Sequence, residues 1–514
     1  MKIFFLVVVL CSNIFQTNAQ QSVLDTSFNH TGKLFTNITG MLTSCLVQPD
    51  GKIVIGGTGR INNSSRFAIS RLLSNGNYDY SFGANGILYD SFYNSLSDQI
   101  NCMLLQPDGK IIAIGTSDSF INLYISIARY MPNGALDNTF GSNGKLKLAQ
   151  TNFGSINSAT LQPDGKIVLA GKNGGFNLLR LQSDGLFDST FGTYGKVLTN
   201  IGTLPYSGAN AVLLQANGKI VAGGSSYHNT YYWAAMIRYL ANGTLDNTFG
   251  TNGVVETNVR GYDDAINSLV QQPDGKIIAT GNSTINSGSA STALLLLQYD
   301  TSGNLDNTFN GSGKLVKSIG GSDDKCYKAI LQTDGKIVVG GYTTTASINL
   351  DYAMYRANAD GTDDNTFGAN GVVTGNFVFN TSNFNDHGQT IAIQPDGKLI
   401  IAGYSALSGA GSYALMRFTN QINVGVTNVE SLSQQQLMVY PNPTTNQLTI
   451  VSHQFSVNTI EVRNMVGQIV FNKQLNNSIN QKIQLDVSRL SSGIYFSKAI
   501  DDNGMQHTVK FVKE

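Results

Sequence analysis

The chain has 514 residues, enough for about three domains or for one large closed β architecture plus a small module. Its 33 basic and 33 acidic residues cancel, and charged residues make up only 13% against a usual value of about 25%, which excludes a nucleic-acid binder held by phosphate contacts. With 55 glycines and 41% hydrophobic residues the chain has material for many tight turns around a large core, so all-β is the first expectation and wholesale disorder is excluded.

The first residues read as an address. Lys2 supplies the positive end, Ile3 to Leu10 an unbroken apolar run and Thr17-Asn18-Ala19 a small-residue cleavage site, so residues 1–19 are expected to be a secretory signal peptide cut after Ala19. A lipoprotein signal at Cys11 is disfavoured, because bulky Leu10 stands where that signal wants a small residue. No later stretch reaches the length of apolar residues needed to cross a bilayer, and no transmembrane segment is expected. Removal of the leader leaves Cys45, Cys102 and Cys326, far apart and without C-x-x-C spacing, which reads as buried free thiols with no metal and no cofactor implied.

From residue 20 onward the chain repeats itself. The string Gln-Pro-Asp-Gly-Lys at Gln48 to Lys52 returns with small changes at Gln106, Gln162, Gln215, Gln272, Gln332 and Gln394, at steps of 53 to 62 residues between the turn glycines. A second string, Leu-Asp-x-Thr-Phe-Gly-x-x-Gly, runs in step with it, its Asp recurring as Asp25, Asp79, Asp137, Asp188, Asp246, Asp306 and Asp364.

Each unit reads as four short strands. The first follows the second string (Lys33 to Thr36), the next precedes the turn (Cys45-Leu46-Val47), the third follows it (Ile53-Val54-Ile55) and the fourth ends in Arg (Phe67 to Arg71). Pro, Asp and Gly in the turn suit a hairpin with a bulge. The third strand always ends in glycine, as at Gly57, Gly115 and Gly281, which points to a bulge or a close backbone approach. Seven antiparallel units, apolar on both faces, predict a seven-bladed β-propeller of four-stranded blades over residues 20–420. An open solenoid is the alternative, but its ends would need capping repeats, and the first and last copies look ordinary.

The pairing of Leu-Asp-x-Thr-Phe-Gly with Gln-Pro-Asp-Gly-Lys-Ile resembles the delta-60 repeat, a bacterial β-propeller repeat of secreted proteins. The resemblance implies the fold and brings no reaction or ligand with it. Residues 421–436 form a polar linker, and alternating segments from residue 437 to 514 predict a small β-sandwich. There Tyr440-Pro441-Asn442-Pro443, Ile460 to Val470, Leu485 to Phe496 and Val509 to Lys513 resemble the type A C-terminal sorting domain of the type IX secretion system, with Asn464 where that family usually has Asp. That likeness implies passage through the periplasm of a Gram-negative bacterium, recognition by an outer-membrane translocon, removal of the tail, and a cargo that is secreted or held on the outer cell surface.

A four-stranded meander sends alternate connections to opposite ends of the blades. Both repeated strings then share one face, and the variable connections share the other, where any specificity should sit. On that face Asp98, Asp264, Asp324 and Asp386, each eleven residues before its turn glycine, read either as a partial acidic ring or as turn-capping carboxylates. The run Tyr227, His228, Asn229, Thr230, Tyr231, Tyr232, Trp233 holds the only Trp and reads either as an aromatic platform for a sugar or protein ligand or as cover for a blade edge. The oxygen-rich Asp137-x-Thr139-Phe140 repeat lacks the ladder of a calcium loop and fits an Asx-type turn with a Phe anchor, while Lys52 and its equivalents read as solvated edge residues. No catalytic residue is nominated: nucleophile elbow, zinc and phosphate-loop motifs are missing, and Asp386-His387 is a weak acid-base pair. The expected function is a monomeric exported binding or adhesion module for glycan or protein, the alternative being a polysaccharide-active hydrolase or lyase on the same scaffold.

Overall fold

In the computed structural model the described residues are 24–420 and 437–514, without 63, 93, 204, 287–290, 345–348, 380–381, 384, 407–410, 453–456, 465–467, 476–481 and 502–505. The signal peptide, Cys11 and the linker 421–436 lie outside the described residues. The chain divides into two compact units, residues 1–424 and 425–514.

Among the described residues the first unit is a ring of seven four-stranded antiparallel blades. Blade 5 shows the pattern: Asp264–Gln271, Ile277–Thr284, Thr292–Tyr299 and Lys314–Lys317 each pair antiparallel with the strand before. Middle strands such as Thr292–Tyr299 are buried along their whole length, because a blade is covered on both faces by its neighbours. The innermost strands touch one another from blade to blade around the whole ring, the seventh meeting the first.

The blade boundaries differ from the repeat phase read in the sequence. The strand that follows the Asp-x-Thr-Phe loop is the outermost strand of the blade just left: Lys196–Thr199 pairs with Phe176–Leu181. The loop between them forces this return, since Arg180 N–H donates to Gly195 O (2.9 Å) and Asp188 N–H to Arg180 O (3.0 Å), folding the chain back on its own strand. The same rule closes the ring. Lys33–Val47 is one continuous strand serving two blades, with Leu34 opposite Leu415 in blade 7 and Leu46 opposite Val54 in blade 1. The start of the propeller thus supplies the fourth strand of its last blade.

The repeated strings build an ionic girdle on one face. In blade 2 the Arg129 guanidinium meets Asp137 Oδ2 at 2.8 Å, and the same oxygen takes the Lys110 ammonium at 3.1 Å. Arg129 Nη1 also donates to the Ser183 carbonyl of blade 3, so one side chain ties two blades. Thr139 donates from its amide (3.1 Å) and hydroxyl (2.7 Å) to Asp137 Oδ1, making the Asx-type turn, and the guanidinium lies 4.9 Å from the Phe140 ring. Phe140 in turn covers Gly185 of the next blade, where a Cβ would stand 2.9 Å from the ring.

Lys52, Lys110 and their equivalents are therefore not solvated edge groups: they sit over a nearly buried carboxylate, which draws the ammonium down from solvent. Burial opposes ionisation of Asp188, yet the Thr190 hydroxyl and amide with Lys166 and Arg180 hold its carboxyl at about 2. Asp364 is held at about 2 in the same way. Blade 5 has Gln298 in place of Arg, and there the Lys276 hydrogen bond is the main cause that keeps Asp306 at about 2.

The second unit is two sheets. Leu437–Tyr440, Gln447–Ser452 and Lys482–Asp486 form one, and Val457–Asn464, Ile469–Gln474, Gly493–Asp501 and Gln506–Lys513 the other. Leu448, Ile450 and Leu485 from the first share a core with Ile460, Val462 and Phe511 from the second, as in a small β-sandwich.

Candidate binding site at the variable face

The hairpin tips between second and third strands, and the crossings from each outer strand to the next inner strand, share the face opposite the girdle. Blade 4 carries the aromatic run on such a hairpin, Ile220–His228 and Tyr231–Tyr239, with Tyr227 opposite Tyr232 and His228 opposite Tyr231. Because side chains alternate across a strand, the run splits between the two faces of the hairpin. Tyr227 and Tyr232 lie on one face, ring centroids 5.0 Å apart, and Tyr206 packs edge-on to Tyr227 at 5.2 Å. His228, Tyr231 and Trp233 lie on the other. There the His228 ring stacks on Trp233 at 4.0 Å and its Nε2 meets Glu256 Oε1 at 3.0 Å, while Tyr231 meets Tyr262 edge-on at 5.6 Å.

From the first group, Tyr206 and Tyr232 border a cavity. About 430 Å³ in volume, it is walled by Tyr206, Tyr232, Asn210, Ser225, Asp263 and Asn282, with Lys172 and Lys325 at either side. Asp263 Oδ1 accepts from the Tyr232 amide at 2.8 Å and so fixes the strand that carries the ring. Two aromatic rings beside amides, a hydroxyl and a carboxylate suit a hydroxyl-rich ligand with an apolar ring face. A second cavity of about 540 Å³ on the girdle face is walled by Gln48, Pro49, Gln332, Thr333, Gln394 and Pro395, all from the turn that every blade repeats with small changes, and it offers little to tell one ligand from another.

The four carboxylates of the variable face are buried and engaged in loop geometry. Asp264 Oδ2 accepts from the Val259 amide (2.9 Å), Asp324 Oδ2 from Ile319 (2.9 Å), Asp386 Oδ2 from Phe377 (2.7 Å) and Asp98 Oδ2 from Phe92 (3.3 Å). Each thereby caps the crossing into its own blade. Burial pushes the Asp386 carboxyl up to about 7, against the Ser405 hydroxyl and Phe377 amide that favour its ionised form. His387 is the next residue on the same strand and points to the other side, stacked on Tyr404 at 4.5 Å. The two side chains do not meet as an acid-base pair.

One constellation escaped the sequence reading. Every inner strand carries a bulge, at Thr43, Asn101, Asn157, Asn210, Asn267, Tyr327 and Gln389. The Nδ2 of Asn101 donates to Ile156 O at 2.7 Å, Asn157 to Ala209 O at 2.9 Å, Asn210 to Ile266 O at 3.0 Å and Asn267 to Cys326 O at 2.8 Å, each on the next blade. Thr43 Oγ1 does the same to Ile100 O at 2.7 Å. This belt satisfies carbonyls on the open edges of the inner strands, which otherwise face the central channel unpaired. The signal was available: the belt position lies eight residues before each turn glycine and is Asn in four copies. The fixed glycine of the second strand lies opposite the bulge, and a Cβ at Gly281 would sit 1.9 Å from Ala265 O.

Comparison with known families matches residues 48–82, 106–140, 162–191, 215–249, 272–309, 332–367 and 394–421 to the domain of unknown function (DUF5122) beta-propeller, and residues 438–514 to the secretion system C-terminal sorting domain. The chain carries a seven-repeat DUF5122 β-propeller and a secretion sorting tail. The tail marks the propeller for type IX secretion and export to the cell surface or the extracellular space. No curated protein matches the chain.

Among solved structures, the propeller-bearing chain is similar to the extracellular domain of the putative hybrid two component system BT4673 from B. thetaiotaomicron, at 12% identity and a TM-score of 0.38 over 96% of this chain and 59% of that one. It is also similar to Sqt1 from Chaetomium thermophilum (13%, TM-score 0.42, 75% of this chain and 96% of that one) and to AofleA from Arthrobotrys oligospora (11%, TM-score 0.34, 69% and 93%). Among the described residues no helix is long and apolar enough to cross a membrane.

Proposed function

We propose that the protein is an exported glycan-binding module whose contact surface is the variable face of the propeller. Its leader is residues 1–19, its cargo residues 20–420, and its tail is released by cleavage in the 421–436 linker. The cavity at blades 4 and 5 carries this reading: Tyr206 and Tyr232 supply aromatic rings to its wall, and Asn210, Asn282 and Asp263 supply donors and acceptors for hydroxyls at the same wall. A protein partner would be met by the rim of that face rather than by a concave polar cavity, so a glycan fits better. Tyr227 supports the platform from behind through its contact with Tyr232.

Incubating the mature chain with a set of polysaccharides, and following both retention and release of product, tests the proposal. Retention without product, weakened in Tyr232→Ala and Tyr206→Ala, supports a binding module; product release identifies an enzyme instead.

A further inference from the structure

The belt has one break that the repeat does not explain. One residue past each bulge, six blades carry Ser44, Cys102, Ser158, Ala211, Ser268 and Thr390, all small; blade 6 alone carries a long cation, Lys328, beside Tyr327 in place of the belt Asn. Lys328 is exposed although it stands on Asp324–Leu331, the innermost strand of blade 6. The innermost strands line the central channel, so an exposed long side chain there opens into that channel. The variable-face carboxylates Asp98, Asp264, Asp324 and Asp386 are bound to their own crossings, and among the described residues no carboxylate pairs with Lys328. Removal from bulk water holds the Lys328 ammonium below the usual lysine range, as expected of a cation without a counter-charge.

We propose that the central channel is an anion site in which Lys328 pairs with a carboxylate or sulfate group. A charged partner inside a channel walled by protein is worth more than one at the surface, because the surrounding medium screens it less. The cavity of the variable face reaches the same level, since Asn210 belongs both to its wall and to the belt. A charged substituent of a bound glycan therefore has a route to Lys328, and this assignment of the anion's source rests on the glycan reading, whereas the site itself does not.

The test is calorimetric titration of the full mature chain with sodium sulfate, alongside Lys328→Thr, which restores the residue type of blade 7, Lys328→Met, and Lys147→Met on the outer strand of blade 2, away from cavity and channel. Sulfate should bind the wild type and Lys147→Met, and bind the Lys328 variants about tenfold or more weakly. A sulfated or uronate-bearing oligosaccharide against its neutral counterpart separates the sources. Preference for the charged sugar, lost in Lys328→Thr, assigns the anion to the glycan; sulfate binding without that preference assigns it to free anions. Equal sulfate affinity in wild type and a folded Lys328→Thr overturns the site, and intact binding of the neutral sugar in that variant leaves the glycan reading standing alone.

Discussion

Arg417, on the third strand of blade 7, holds Asp25, near the start of the propeller, in an ion pair of 2.8 Å with both side chains nearly buried. Lys398 reaches the same carboxylate at 3.2 Å, and Asp25 N–H donates to Arg417 O at 2.9 Å. The girdle motif that elsewhere joins strands close in sequence here joins the two ends of the ring.

Breaking that lock leaves Asp25 with Lys398 as its one remaining cation and removes the charged hydrogen bond of Arg417, so Arg417→Met should cost about 2 kcal/mol in chemical denaturation. Adding Asp25→Asn should cost little more, because the two groups act as one unit. Full additivity of the two substitutions would show that the closure does not depend on their pairing.

The carboxyls of Asp188, Asp306 and Asp364 are held at about 2 in the fold against 3.8 for the free residue. Depressed folded values favour the native state above about pH 4, and that contribution should be lost as pH falls from 4 through 2. Asp386, raised to about 7, has the opposite sign: its contribution is complete below about pH 4 and fades as pH rises through 7. Melting temperatures from pH 2 to 9 should therefore show an acid limb common to the girdle, and Asp386→Asn should flatten the neutral limb alone.

At Gly281 the bulge across the strand pair brings Ala265 O to 1.9 Å from where a Cβ would stand. Gly281→Ala should thus destabilise by about 2 kcal/mol or more, through backbone displacement rather than lost packing. Equal stability in urea titrations would mean that the bulge yields freely.

The number of blades and the two strings were legible because every copy obeys the same spacing, and the tail because its segments alternate cleanly. The blade boundary was not, since Lys33 to Thr36 follows one string and precedes the next, and only pairing with Met416 and Leu415 decides which blade it joins. Lys110 looked solvated because its partner Asp137 is distant in sequence and shared with Arg129. The aromatic run looked like one cluster until alternation set Tyr232 on the cavity side and Trp233 on the other.

Export should process both ends. Mass spectrometry of the secreted form is expected to find an N-terminus near Gln20 and a C-terminus between about Asn420 and Tyr440, and fusing residues 425–514 to a periplasmic reporter should send it across the outer membrane. Recovery of Glu514 on the mature surface form would contradict tail removal.

The most direct test of the glycan-binding account is a binding isotherm for the mature chain on the best polysaccharide of a screen, beside Tyr232→Ala and Trp233→Ala. Loss of an aromatic anchor commonly costs about 2 kcal/mol, so Tyr232→Ala should bind about thirtyfold more weakly at an unchanged melting temperature. Trp233→Ala, on the face away from the cavity, should bind as wild type. Unchanged binding by Tyr232→Ala, or retention of no polysaccharide by the wild type, would contradict the account.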